Sequence, residues 1–436
     1  MSKIIRWIKD LFPVEFKDKI KQPLVTVLDK IAFSVHSYRH ILRIKKKLYK
    51  KEKINVVFLC QFPEMWNSTK SVFLALEQSE LFHPVILAVP KKKVMGLKEI
   101  FLENNDALDY FCKDFVCVAD SRRNGGYVDI REFQPDYVFI QRPYDGCMPP
   151  QYRIKELIKS ALICYIPYYS CLTEREIHLH VQFEDLFIKQ FNLFFADCRR
   201  SCDFVTERLR EMHVHLGRTK RIFNIGFPRY ELLRDKLTVR GENRTFLWLP
   251  RWTMDAEKDR SHFFDYIEPL LRYFKENQQL ELIIRPHPAM FTNFKHEGYI
   301  SEEEIDKLKD YIAKQPNVRF DSNEDYLITF NESDFLIADP TSLICEYFLT
   351  GKPIVFCGEK YTGSFEGEQI AATYYCADDR EELLRAITDL AGGKDEKKEQ
   401  RAETIAHLKL TDTNVGSRIR DVLAMDRESL SGTKKR

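Results

Sequence analysis

Apolar positions along the chain fall into two kinds of run. The first is short and continuous: "INVVFLCQ" (54–61), "FHPVILAVP" (82–90), "PDYVFIQRPYD" (135–145) and "SALICYIPYYS" (160–170). Runs of that length predict strands buried on both faces. The second has helical spacing, as in "NSTKSVFLALEQSE". "FNLFFADCRRSCDFVTERLREM" and "RIFNIGFPRYELL" each read as a strand followed by a helix. Strand alternating with helix predicts a parallel α/β sheet.

A second series opens at "ENRTFLWLPRWTM" (242–254) and runs through "FFDYIEPLLRYFKEN", "LELIIRPHP", "EEEIDKLKDYIAKQ", "VRFD" and "ESDFLIADPTSLICEYFLTGKPIVFCG". "DDREELLRAITDLAG" predicts a late helix. The expectation is two α/β domains facing across a cleft, at 54–240 and 241–436, preceded by a helical leader at 1–53. A chain of 436 residues has room for both. Ligands of such sheets bind beyond the C-terminal strand ends, so polar residues after each strand are the candidates.

The leader changes the picture that the net charge of +2 suggests. Residues 1–53 hold fifteen Lys/Arg and five acids, so the leader is +10 and the rest is −8. "SKIIRWIKDLF" gathers Ile4, Ile5, Trp7, Ile8, Leu11 and Phe12 on one face, and Pro13 and Pro23 divide the leader into two or three helical pieces. Two readings are open: a helix packed on its own domain, or an interfacial helix on anionic lipid, where each basic residue adds about 1 kcal/mol. The expectation is peripheral attachment to the inner face of the cell membrane, with a cytoplasmic body. No run of about 18 apolar residues predicts a span, and Lys3, Arg6 and Lys9 interrupt any signal-peptide core. Eleven cysteines without a repeating pattern fit a reducing compartment. No metal, cofactor or nucleic-acid partner is expected.

Three polar clusters follow strands of the second series: Pro250-Arg251-Trp252-Thr253, Arg285-Pro286-His287-Pro288 and Asp339-Pro340-Thr341-Ser342, with Glu346 one turn into the following helix. Arg offers bidentate bonds to phosphate. His moves protons near neutral pH. A hydroxyl-bearing helix start is either a cap or an anion site. Together they describe a phosphate-bearing donor and a hydroxyl acceptor, with His287 as candidate catalytic base. Arg251, Arg285, Asp339, Thr341, Ser342 and Glu346 are the candidate donor contacts. In the first half, Trp66, Arg142, Tyr144, Asp145 and Tyr168 follow strands and are candidate acceptor contacts, with ordinary loop polarity the alternative for each.

"FLWLPRW", "IIRPHP" and "ADPTSLICEYFLTGKPIVF" together resemble the CDP-glycerol glycerophosphotransferase family of teichoic acid polymerases and capsule-making relatives. The resemblance spans roughly 245–358, with "NEDYLITFNESDFLIAD" leading into the third motif. It implies a GT-B architecture of two facing Rossmann-like domains. It also implies a CDP-glycerol or related CDP-alditol donor, a glycan or lipid-linked acceptor, and release of CMP in surface-polymer synthesis. The family's Trp-His-Gly motif has no counterpart: "ALICYIPYYS" carries Tyr165, Tyr168 and Tyr169 and no His. Pro340-Thr341-Ser342 also replaces the family's Tyr-Ser-Ser. Two alternatives stand beside this reading: a GT-B glycosyltransferase using a nucleotide sugar, and a catalytically silent binding subunit of a surface-polymer complex.

Overall fold

The computed structural model describes residues 14–424 apart from 96–97, 103, 174–175, 235, 239–243, 257–259, 324, 359–364, 409, 411 and 413. Two parallel sheets dominate. The first contains β1 (Ile54–Cys60), β2 (Phe82–Ala88), β3 (Val118–Asp120), β4 (Tyr137–Ile140), β5 (Leu162–Tyr165), β6 (Leu193–Ala196) and β7 (Arg221–Asn224). Its spatial order is β7-β6-β5-β4-β1-β2-β3. The second contains β8 (Thr245–Leu249), β9 (Glu281–Ile284), β10 (Val318–Phe320), β11 (Phe335–Ala338), β12 (Ile354–Cys357) and β13 (Tyr375–Ala377), ordered β10-β9-β8-β11-β12-β13. Each sheet therefore turns back on itself once, between β1 and β4 and between β8 and β11. That is the doubly wound pattern of two Rossmann-like units. Strands β4, β5, β6, β11 and β12 are buried at every position, which is why their sequences read as unbroken apolar runs. The division expected near residue 240 falls on 239–243, outside the described residues.

Two segments depart from the sequence expectation. Helix α1 (Val14–Lys50) is continuous through Pro23 rather than broken there. Its inner face also belongs to the first domain. Ile41, Ile44 and Leu48 are buried with strands β1, β2 and β4 in one cluster. Arg43 Nε and Lys47 Nζ donate to the two oxygens of fully buried Asp136 at 3.0 and 2.6 Å. His40 Nε2 donates to the Ile158 carbonyl at 2.9 Å. Burying each such aliphatic side chain is worth about 1.5–3 kcal/mol, so this part of the leader is structural. The apolar face at Trp7, Ile8 and Leu11 lies outside the described residues.

The second departure is at the other end. Helix α2 (Lys70–Glu77) packs against α7 (Val415–Ala424), the last described helix, although 415–424 lies in the range assigned to the C-terminal domain. Val415, Ile419 and Leu423 join the first sheet's core beside Val72, Phe73 and Leu76. Gly416 permits the approach, because a Cβ there would lie 2.4 Å from the Ser71 carbonyl oxygen. The described chain thus crosses back to the first domain at 415–424. Among the described residues no helix is long and apolar enough to cross a membrane.

Candidate functional site

The order β10-β9-β8-β11 puts the three motifs of the second half on three adjacent strand ends. Arg251 follows β8, Arg285 and His287 follow β9, and Thr341 and Ser342 follow β11. They line a cavity of about 530 Å³ together with Tyr144, Tyr168 and Tyr169 from the first half. The Tyr144 and Tyr168 hydroxyls lie 3.3 Å apart. The cavity therefore has a cationic, hydroxyl-bearing wall and an aromatic wall, one from each domain.

Each cationic side chain is held from behind. Arg285 Nη1 bonds Asp321 Oδ2 at 2.5 Å and the Asn323 carbonyl at 2.8 Å. Burial pushes the Asp321 carboxyl up, but the Thr329 hydroxyl, the Asn323 amide and Arg285 outweigh it and hold the group below its ordinary value. Arg251 bonds the Pro340 carbonyl through Nη1, while its Nε is buried without a partner. Its backbone amide donates to Asp339 Oδ2 at 2.7 Å.

Asp339 corrects one expectation. Its carboxylate is fully buried and does not line the cavity. It accepts from the Ser261 hydroxyl at 3.0 Å, from His262 Nδ1 at 2.8 Å and from the amides of Arg251 and His262. Asp339 thus ties the β8 loop and the N-terminus of α4 (Phe263–Glu276) to its own turn. It positions Arg251 and the hydroxyl turn rather than touching a ligand. Sequence reasoning missed Ser261 and His262; their only signal was a Ser-His pair opening a helix.

His287 lines the cavity, but its ring is committed. The Ala289 amide donates to Nδ1 at 3.1 Å, so the neutral ring carries its proton on Nε2. Burial first, then Arg251, pushes the imidazole below its ordinary pKa, which favours that neutral form. In this state His287 offers a hydrogen-bond donor to the cavity rather than a base. At the third motif, Thr341 Oγ1 lies 3.4 Å from the Leu343 amide, and Ser342 makes no side-chain cap. The opening of α6 (Leu343–Phe348) leaves the Ser342 hydroxyl for the cavity.

Four expected contacts lie outside this cavity. Glu346 is buried on α6, 3.0 Å from Arg229 Nε on α3 (Pro228–Arg234), and accepts the Tyr326 hydroxyl from α5 (Tyr326–Glu332). The pair joins the two halves of the molecule, and no spacing in the sequence links residues 229 and 346. Trp66 is 1% exposed, packed edge-on against Phe58, Phe73, Phe111 and Phe115. It is core, because these four aromatic rings close over it. Asp145 accepts the Ile154 amide at 2.8 Å, and burial raises its carboxyl. Arg142 lies behind Tyr144 and outside the large cavity, stacked 4.9 Å from that ring. Among the described residues no group of three or more His, Cys, Asp or Glu could hold a metal ion.

Residues 213–424 match the profile of the family described as CDP-Glycerol:Poly(glycerophosphate) glycerophosphotransferase. The match contains all three cavity motifs of the second half. Solved structures of low identity share the fold. The wall teichoic acid polymerase TagF is 14% identical, with a TM-score of 0.50 over 91% of this chain and 99% of that one. A UDP-GlcNAc 2-epimerase from Neisseria meningitidis is 13% identical, with a TM-score of 0.56 over 85% and 99%. A putative UDP-N-acetylglucosamine 2-epimerase from Listeria monocytogenes is 14% identical, with a TM-score of 0.55 over 86% and 97%. No curated protein matches the chain. These neighbours share the arrangement of two facing Rossmann-like domains of GT-B type.

Proposed function

We propose that the protein transfers glycerol phosphate, or a similar alditol phosphate, from a CDP-linked donor to a hydroxyl acceptor in the synthesis of a teichoic acid or capsule polymer. The observation that carries this reading is the convergence of Arg251, Arg285, His287 and the Thr341–Ser342 turn on one cavity within the glycerophosphotransferase match. Two guanidinium groups, a ring N–H and two hydroxyls suit a diphosphate. An acceptor oxygen attacks the distal phosphorus; its bond to phosphorus forms as the phosphorus–oxygen bond to CMP breaks. CMP leaves as an anion, and the hydroxyl proton passes to solvent. Such a loose transition state depends on positioning and charge neutralisation more than on a base. His287 donates through Nε2 to a phosphoryl oxygen. The domains divide the work, with donor on the second sheet and acceptor on the first.

The test is a binding screen of the full chain against CDP-glycerol, CDP-ribitol, CDP and UDP-N-acetylglucosamine. CDP-alditols should bind more tightly than the nucleotide sugar. Preference for the sugar nucleotide would return the protein to the glycosyltransferase reading.

Peripheral membrane attachment rests on the outer face of α1. Ile31, Val35, Tyr38, Leu42 and Tyr49 are exposed along it. Lys30, Arg39, Lys46 and Lys50 are exposed on the same helix. Basic residues beside an apolar stripe complement anionic lipid and would repel a second copy of the same helix.

A further inference from the structure

The first sheet has its own switch point, between β1 and β4, and its polar residues do not belong to the donor motifs. Gln61 and Phe62 follow β1; Gln141 and Arg142 follow β4. The two loops are locked together: the Gln61 and Phe62 amides donate to Gln141 Oε1 at 2.8 and 2.9 Å, and Gln141 Nε2 donates to the Phe62 carbonyl at 2.9 Å. This fixes the ring of Phe62 beside Arg142.

Arg142 is held by stacking rather than by an acid. Its guanidinium carbon lies 4.5 Å from the Phe62 ring centre and 4.9 Å from that of Tyr144. Its Nε is buried without a hydrogen-bond partner. Among the described residues no carboxylate pairs with it, and neighbouring Asp145 is engaged with the Ile154 amide. Lys91 also lies 5.5 Å from the centre of the Phe62 ring, but it is paired with Glu64 at 3.6 Å, which leaves Arg142 as the cation of this site. An oriented guanidinium without a counter-ion, at the switch point of an open sheet, is a receptor for an oxyanion.

We infer that Arg142, fixed between Phe62 and Tyr144, binds an oxyanion of the acceptor, phosphate or carboxylate. Tyr144 touches both places: it stacks on Arg142 and lines the cavity that holds the donor motifs. An acceptor anchored by its anion at Arg142 lays its hydroxyl along Tyr144 and Tyr168 towards the opposite wall. A neutral glycan offers Arg142 nothing, so the site selects charged acceptors. This inference rests on the acceptor half of the proposed function and not on the identity of the donor.

The experiment titrates the full chain with a glycerol phosphate trimer, with glucuronate and with glycerol, in the wild type and in Arg142→Gln and Arg142→Lys. CDP-glycerol binding is measured in parallel, and thermal unfolding checks the fold. The trimer and glucuronate distinguish phosphate from carboxylate. At least one of them should bind, and Arg142→Gln should weaken it about 10- to 100-fold. Arg142→Lys should fall between, since it keeps charge but loses the planar fork. CDP-glycerol affinity should be unchanged. If CDP-glycerol fails to bind while the Arg142-dependent anion still does, the donor reading falls and this site stands. Equal anion binding by wild type and Arg142→Gln, or no anion binding by the wild type, overturns the inference.

Discussion

Arg229 and Glu346 form a buried ion pair, 3.0 Å from Nε to Oε1, between helices of different halves of the molecule. Tyr326 completes it by donating to Glu346 and accepting from Arg229 Nη2 at 2.7 Å. Burial pushes the Glu346 carboxyl up while Arg229 and Tyr326 pull it down. Removing the cation alone strands that carboxyl. Arg229→Met should cost about 3–5 kcal/mol, and Arg229→Met with Glu346→Leu should recover most of it. Urea unfolding of both variants checks this. Equal losses in the two would mean that packing, rather than stranded charge, sets the cost.

The docking of α1 should be sensitive to mild acid. Burial is the largest cause that lowers His40 to about 4, against 6.5 for a free histidine. Between those values the unfolded chain binds a proton that the folded chain refuses. Stability therefore falls as pH drops from 6.5 towards 4, and this contribution is flat above 6.5. His40→Gln should flatten that part of the stability–pH curve; an unaltered slope would assign it to other groups.

Trp66 separates core from site. Trp66→Ala should destabilise by about 3–5 kcal/mol. Trp66→Phe should keep the fold and leave the KM for acceptor unchanged. A selective rise in acceptor KM for Trp66→Phe would restore the residue to the cleft.

The outer face of α1 makes a prediction that salt can read. The full chain should sediment with anionic liposomes at low ionic strength. It should be largely released at 1 M salt, where the screening length is about 3 Å. Ile31→Glu with Leu42→Glu should abolish sedimentation without unfolding the protein, because both side chains are exposed. Full-length protein that ignores anionic liposomes would remove the membrane from the account.

What the sequence made legible was periodic. Unbroken apolar runs marked the strands, and polar residues after β8, β9 and β11 marked the cavity wall, because strand order brings adjacent ends together. The illegible parts depend on contacts between distant segments. Glu346 sits one turn after Ser342, but the partner that turns it inward is Arg229, in the other half. Trp66 lies in a polar stretch, yet Phe111 and Phe115 cover it from later in the chain. Pro23 looked like a helix break, and α1 runs through it. The orientation of His287 is set by an amide two residues on, which no residue pattern displays.

The central claim is that phosphorus, not a sugar carbon, is attacked. The direct measurement is the nucleotide released when the full chain turns over CDP-glycerol with a lipid-linked glycerol phosphate primer. The account predicts CMP, formed in step with glycerol phosphate on the primer. It further predicts turnover about 10²–10³-fold lower in His287→Ala, with donor affinity less affected. Release of CDP instead of CMP, or turnover of a nucleotide sugar with CDP-glycerol untouched, would contradict it.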